Sequence, residues 1–182
     1  MVAFPPTARG ARATFAVRDL ANIRQIGRRG EFTILQAPVW PDHSHGGHNP
    51  TFASYADVLT GVGFADQNKL GAVVDAWDSI LTLIKPDLVV ADHAPALQVA
   101  MLGKSQPLVT VGTPFTMPPL NLDRLPPIRA DQSPALPEAR LHQSVKAVLA
   151  MRGLQPPARL VDVFQSDERL IFGLPELDPY RA

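Results

Sequence analysis

An aspartate and a histidine directly follow a short apolar run that has the composition of a strand. The run is 87–91 (DLVVA), and Asp92 and His93 come next in the chain. A predicted helix, 94–102, follows, so Asp92 lies near a helix N-terminus, where the dipole favours its ionised form. An ionised carboxylate there could orient a histidine that acts as a general base. The alternative is that Asp92 only caps the helix.

A second segment, 112–117, follows a similar apolar run at 107–111 (PLVTV). In an open parallel sheet, ligands bind outside the carboxyl ends of the strands, so both segments would face one crevice. The residues expected to contact a small-molecule ligand there are His93, Thr113, Phe115 and Met117. His93 is not assigned as the base, because adjacent side chains seldom align as a base and its orienting group. Packing of the two apolar side chains under the following loop is the alternative.

Three histidines in the loop 43–48 (HSHGGH) have the spacing of metal ligands. They are His43, His45 and His48, and three imidazoles can supply an open zinc site. Two glycines make this loop pliable, however, and no carboxylate stands at a fixed helical spacing beside it. We therefore predict a surface loop or a lid over a ligand site, assign no metal ligands, and keep metal binding as a third hypothesis.

The common phosphate-binding and hydrolase motifs do not occur in the sequence. Neither G-x-G-x-x-G nor G-x-x-x-x-G-K-[ST] is found, and there is no G-x-S-x-G elbow. The chain contains no cysteine, which excludes disulfides, thiol catalysis and zinc–thiolate sites and fits a reducing cytoplasm. We expect no bound cofactor from these patterns.

Length and charge restrict the class of protein. A chain of 182 residues fits one domain. The 17 basic and 17 acidic side chains balance, which argues against a nucleic-acid partner. No apolar run approaches the roughly 20 residues that span a bilayer, and residues 1–6 lack the layout of a secretory signal. We therefore expect a cytoplasmic protein without a membrane partner.

Alternating strand and helix patterns must position the candidate residues. Apolar residues at helical spacing predict a long helix over 66–86, with Asp66 as its cap. Other predicted helices are 94–102, 138–151 and a short one after the capping-box segment 54–57. The predicted strands are 13–17, 32–35, 87–91, 107–111 and 170–172. The apolar runs at 87–91 and 107–111 do not alternate, which indicates strands buried on both faces. The pattern predicts a single α/β domain with a doubly wound parallel sheet.

Proline is concentrated in one part of the chain. Seven of the 19 prolines lie in the segment 114–137, directly after the second candidate segment. Because a helix pattern follows at 138–151, we expect an extended surface excursion within the domain and not a linker between domains.

Two of the quoted segments, 86–95 (PDLVVADHAP) and 111–119 (VGTPFTMPP), carry a family resemblance. Further segments in the same order support it: 9–20 (RGARATFAVRDL), 35–38 (LQAP), 54–57 (SYAD) and 175–180 (PELDPY). Together they resemble the N-terminal, acceptor-binding domain of bacterial two-domain glycosyltransferases of the GT-B type, the group of UDP-glucosyl, macrolide and flavonoid glycosyltransferases. The similarity covers essentially the whole chain, and the order and spacing of the segments carry it.

The resemblance implies a Rossmann-like fold and inverting transfer of a hexose from a nucleotide sugar to a hydroxyl of a small aglycone. In this family a histidine after the first strand deprotonates the acceptor, and an aspartate at the end of a later strand orients that histidine. Asp92 falls on the position of the aspartate. The family's first strand, its histidine and its nucleotide-sugar domain have no counterpart here. The resemblance therefore implies a chain truncated at both ends, inactive alone, that works with a separate donor-binding domain or chain.

The first strand of a doubly wound sheet lies centrally, so a chain without it leaves two inner edges. We expect such a chain to be marginally stable or to pair those edges directly, because unpaired edges invite aggregation. The alternative function is a non-catalytic α/β module that binds a small molecule or a protein at the same crevice.

Overall fold

Parallel strands and helices alternate along the chain, which confirms the α/β class. The computed structural model describes residues 10–23, 32–40, 52–129 and 131–180. Its strands are β1 (Thr14–Val17), β2 (Thr33–Gln36), β3 (Val89–Asp92), β4 (Leu108–Gly112) and β5 (Glu168–Ile171). Its helices are α1 (Tyr55–Gly61), α2 (Gln67–Ile84), α3 (Pro95–Met101) and α4 (Glu138–Met151). Short 3-10 turns lie at Leu20–Ile23, Pro114–Thr116, Leu160–Phe164 and Pro175–Leu177.

The strands form two small parallel sheets. β1 pairs with β2, and β4 lies between β3 and β5 in the second sheet. Within the described ranges no pairing joins β1 to β3, and each of these strands has a single neighbour. Of the two alternatives, direct pairing of the inner edges is therefore wrong for the part of the chain described, and marginal stability stays a prediction.

Helix α2 is the longest element, and its ends follow the sequence signals. The Asp66 carboxylate accepts hydrogen bonds from the amides of Asn68 and Lys69 at 2.9 and 3.2 Å. Lys85 ends the helix in the left-handed conformation, with φ of 49°, directly before Pro86. The buried face comprises Leu70, Gly71, Val73, Val74 and Trp77. Among the described helices, none has both the length and the apolar character needed to cross a membrane.

The hydrophobic core lies on one side of the three-stranded sheet. Val89 and Ala91 of β3 belong to the buried cluster, whereas Val90 between them is 57% exposed. The equivalent residues of β4, Val109 and Val111, are half-buried. The prediction that both strands are buried on both faces is wrong for β3 and only partly met by β4. The reason is that the apolar cluster packs on the Val89 side of the sheet alone.

The proline-rich segment 114–137 is tied to the core at several points. The amide of Leu125, a buried residue, donates to Oε2 of Glu138 at 2.9 Å. The amide of Ala135 donates to Oδ1 of Asp57 at 2.7 Å. These bonds fix the segment against the N-terminal ends of α4 and α1, which places its first residues over the carboxyl edge of the sheet.

Candidate functional site

The carboxyl ends of β3 and β4 meet at one edge of the sheet. Asp92, the last residue of β3, is in register with Val111 of β4, so both chains leave the sheet at the same level. Thr113 is exposed there and Phe115 is half-buried. The structure therefore brings together the two segments that the sequence placed at a common crevice, in the position where open parallel sheets bind ligands.

Asp92 is exposed at this edge and does not cap the following helix. The N-cap residue of α3 is Ala94, and no side chain caps the helix. Within the described part of the chain, the Asp92 carboxylate has no hydrogen bond and no ion pair. The capping alternative is therefore wrong, and both carboxylate oxygens remain available to a ligand.

His93 combines backbone strain with a perturbed pKa. Its φ of 43° lies in the left-handed region, which non-glycine residues rarely adopt and which is frequent at functional sites. Partial burial lowers the pKa of His93 from the usual 6.5. The charge of Asp92 raises this pKa, and the charge of Arg18 lowers it. A neutral imidazole offers one nitrogen as an acceptor. His93 can therefore accept a hydrogen bond from a ligand hydroxyl.

Two tyrosines that the sequence analysis did not assign to the site contact its residues: Tyr55 lies beside His93 and Tyr180 beside Phe115. Tyr55, the first residue of α1, is 1% exposed, and its ring centroid lies 6.1 Å from that of His93. The Tyr180 hydroxyl donates to the carbonyl of Phe115 at 3.1 Å. Burial raises the pKa of both phenols; the charge of Tyr180 adds to the effect on Tyr55, and that of Asp178 to the effect on Tyr180. Both phenols therefore stay protonated near neutral pH and act as donors, not bases.

A small recess lies under the segment 113–118. Its walls include His93, Met117 and Arg169. The enclosed space is about 10 Å³, which is room for about one water molecule. Drug-sized ligands occupy pockets of roughly 300 Å³ or more, so an aglycone would have to bind over the exposed edge. Met117 is 6% exposed, and packing is therefore the better description of this residue than direct contact with a ligand.

Gly112 allows the loop after β4 to fold closely over the strand. A Cβ at this position would lie 2.5 Å from Oγ1 of Thr116 and 3.1 Å from Cγ of Met117. The Thr116 hydroxyl in turn donates to the Thr113 carbonyl at 3.1 Å. A glycine is therefore required for the tight turn that forms one wall of the site.

The histidines considered for metal binding, His43, His45 and His48, lie outside the described residues. Elsewhere, in the ranges that the structure covers, no three His, Asp or Glu side chains converge as a set of metal ligands. His142, on α4, places Nε2 3.0 Å from the carbonyl oxygen of Pro157. This histidine therefore has a structural contact.

The fold and the site define a parallel α/β protein with a polar and aromatic crevice at the carboxyl edge of its larger sheet. No protein-family model matches the chain. No curated protein shows significant similarity to it either. The residues at this edge are therefore the basis for assigning a function.

Proposed function

We propose that this chain is an acceptor-binding domain of the GT-B glycosyltransferase type, which holds a small aglycone for transfer of a hexose from a nucleotide sugar. The observation that carries the proposal is the position of Asp92: exposed, at the end of β3, and without a protein partner in the described ranges. Thr113 and Phe115 line the same edge and supply polar and aromatic surface for an aglycone.

We further propose that the two sheets belong to one doubly wound arrangement in the order β2, β1, an unfilled position, β3, β4, β5. Every strand pair is parallel, as this arrangement requires. Arg18, directly after β1, is near enough to lower the pKa of His93. This proximity supports a shared carboxyl edge for β1 and β3.

The proposed division of labour follows from the chemistry of each group. Asp92 is the carboxylate that orients a base, and no base is assigned within this chain. Neutral His93 accepts a hydrogen bond from a hydroxyl of the aglycone, and Phe115 packs against the ring system of the aglycone. The nucleotide sugar is the co-substrate, and a separate donor-binding domain or chain would hold it.

The alternative, a binding module without turnover, has one observation in its favour. In the described structure no imidazole is hydrogen-bonded to Asp92, so no base is in place for this carboxylate to orient. A carboxylate that orients a catalytic imidazole is normally hydrogen-bonded to it. Under this alternative the edge binds the same ligands, and nothing is transferred to them.

Acceptor binding can be tested by titrating the protein with flavonoid and macrolide aglycones and following the amide NMR signals. We expect saturable shifts at Asp92, His93, Thr113 and Phe115, and Phe115→Ala should weaken binding. Asp87→Asn is the matched control, because Asp87 is exposed at the opposite end of the same apolar run. Shifts that bypass this edge, or that Asp87→Asn removes equally, would contradict the proposal.

Transfer is tested separately from binding. The protein is mixed with a donor-binding domain of this enzyme type and a UDP- or dTDP-hexose, and glycoside formation is measured by mass spectrometry. Loss of product with Asp92→Ala, with aglycone binding retained, supports the glycosyltransferase reading. Unchanged binding without product from the wild type favours the binding module.

A further inference from the structure

Arg169, in β5, carries a positive charge that the described structure does not compensate. Its side chain is half-buried, and no carboxylate in the described ranges lies within ion-pair distance. It makes one side-chain hydrogen bond, from Nη2 to the carbonyl of Pro118 at 2.9 Å. Nε is fully buried and has no acceptor among the described residues. Of the five N–H donors of a guanidinium, one is therefore used.

The acidic residues beside Arg169 in the chain are directed elsewhere. Glu168 precedes it in the same strand, and successive strand side chains point to opposite faces. Asp167 accepts a hydrogen bond from the amide of Leu108 at 2.8 Å. Burial lowers the pKa of Arg169, but an arginine remains protonated at neutral pH. A half-buried cation with unused donors is costly to the fold, and an anion would relieve that cost.

Apart from His93, the polar side chains that line the recess with Arg169 make hydrogen bonds within the protein. Thr110 Oγ1 lies 2.7 Å from the hydroxyl of Ser166. The Thr116 hydroxyl donates to the Thr113 carbonyl, and Nε2 of Gln98 donates to the carbonyl of Phe164 at 3.5 Å. Arg169 is thus the one cationic residue among the described lining of the recess, and most of its donors are unused.

We propose that Arg169 is an oxyanion-binding residue, which holds a carboxylate or phosphate group of a ligand at the carboxyl edge of the sheet. The enclosed space of about 10 Å³ admits a single oxygen atom, so the anionic group reaches in and the remainder of the ligand lies outside. The guanidinium recognises both groups through charge-assisted hydrogen bonds. The inference is independent of sugar transfer, because it concerns the binding of an anion alone.

The direct test is an NMR titration of the arginine Nε–H signals with sodium acetate and, separately, with inorganic phosphate at constant ionic strength. We expect a saturable shift of the Arg169 signal, whereas the signal of Arg140, which is exposed on α4, should not saturate. A response to acetate alone identifies a carboxylate site, a response to phosphate alone a phosphate site, and a response to both the shared chemistry. No saturable shift with either anion overturns the proposal.

Variants give the second measurement. Anion binding, followed by the amide signals of Thr116 and Met117, should weaken at least about tenfold in Arg169→Gln and less in Arg169→Lys, because the lysine keeps the charge. Arg140→Gln is the matched control and should leave binding unchanged. Equal binding by Arg169→Gln and the wild type overturns the proposal. If Arg169→Gln does not fold, the wild-type Nε–H titration decides alone.

Discussion

His93 combines an unusual backbone conformation with charged neighbours and exposure to solvent. Its left-handed backbone turns the chain sharply between β3 and α3, and its ring lies beside buried Tyr55. Partial burial lowers the pKa of His93, and the charge of Asp92 only partly opposes that effect. The residue is therefore mostly neutral at physiological pH, which suits a hydrogen-bond acceptor for a hydroxyl.

An NMR titration of the histidine ring signals should give His93 a pKa below 6.5. Asp92→Asn should lower it further, because the variant removes the charge that favours the imidazolium. Since the folded state binds this proton less readily than the unfolded chain, stability attributable to His93 is lost as the pH falls below about 6.5 and levels off under the folded pKa. A value at or above 6.5 in the wild type, or a rise in the variant, would contradict this account.

Asp57 connects two elements that are distant in sequence. Its Oδ2 accepts from the amides of Ala53 and Ser54 at 2.9 and 3.1 Å, while the Ser54 hydroxyl accepts from the amide of Ala56, completing the capping box of α1. Its Oδ1 accepts from the amide of Ala135 in the proline-rich segment. One buried carboxylate thus fixes both the start of a helix and the course of a loop.

Replacing Asp57 by alanine should destabilise the protein by about 2–4 kcal/mol, because three amide donors lose their acceptor. Ser54→Ala, which removes only the hydroxyl of the cap, should cost about 1 kcal/mol. Urea unfolding measures both, and amide hydrogen exchange at Ala135 should accelerate in Asp57→Ala alone. Equal losses in the two variants would show that the contact with Ala135 contributes nothing.

The elements were largely predictable because each depends on residues close together in sequence. Helices α2 and α4 follow directly from apolar spacing and their flanking residues. The capping box is also local, because Ser54 and Asp57 lie within four residues. The carboxyl edge with Asp92, His93 and Thr113 was likewise predictable, since strand direction alone places it.

The remaining features depend on contacts between distant residues. Tyr180 contacts Phe115, which is 65 residues away in sequence, and Arg169 contacts Pro118, which is 51 residues away. No local sequence pattern predicts either contact. The exposure of Val90 could not be predicted from the sequence either, because an apolar run does not show whether other residues pack on the second face of the strand. Sequence therefore located the edge but not its full set of side chains.

The uncovered face of the larger sheet carries exposed apolar residues beside two carboxylates, Asp92 and Glu168. The register sets Val90 beside Val109 and Val111 beside Leu170, and residues paired in this way share a face. Val90 and Leu170 are 57% and 47% exposed. Large exposed apolar patches promote association, so we expect this face to mediate self-association of the protein in solution.

Leu170→Lys should reduce the binding of an apolar fluorescent dye and move self-association to higher concentration, with a change in unfolding free energy within about 0.5 kcal/mol. Leu83→Lys is the matched control, because Leu83 is 75% exposed on α2, which packs on the covered side. Analytical ultracentrifugation and dye fluorescence measure the two effects. The same result from both variants would assign association to general apolarity and not to this face.

The separation of the strands into two sheets bears on how the molecule opens. Sheet β1–β2 has no ladder to the rest of the described chain, so its hydrogen bonds can break without disturbing those of β4, which is held on both sides. We therefore expect the β1–β2 sheet to open at a lower free energy than the three-stranded sheet. Because the charge of Arg18, directly after β1, acts on His93, such an opening would change the charge around the crevice before the core unfolds.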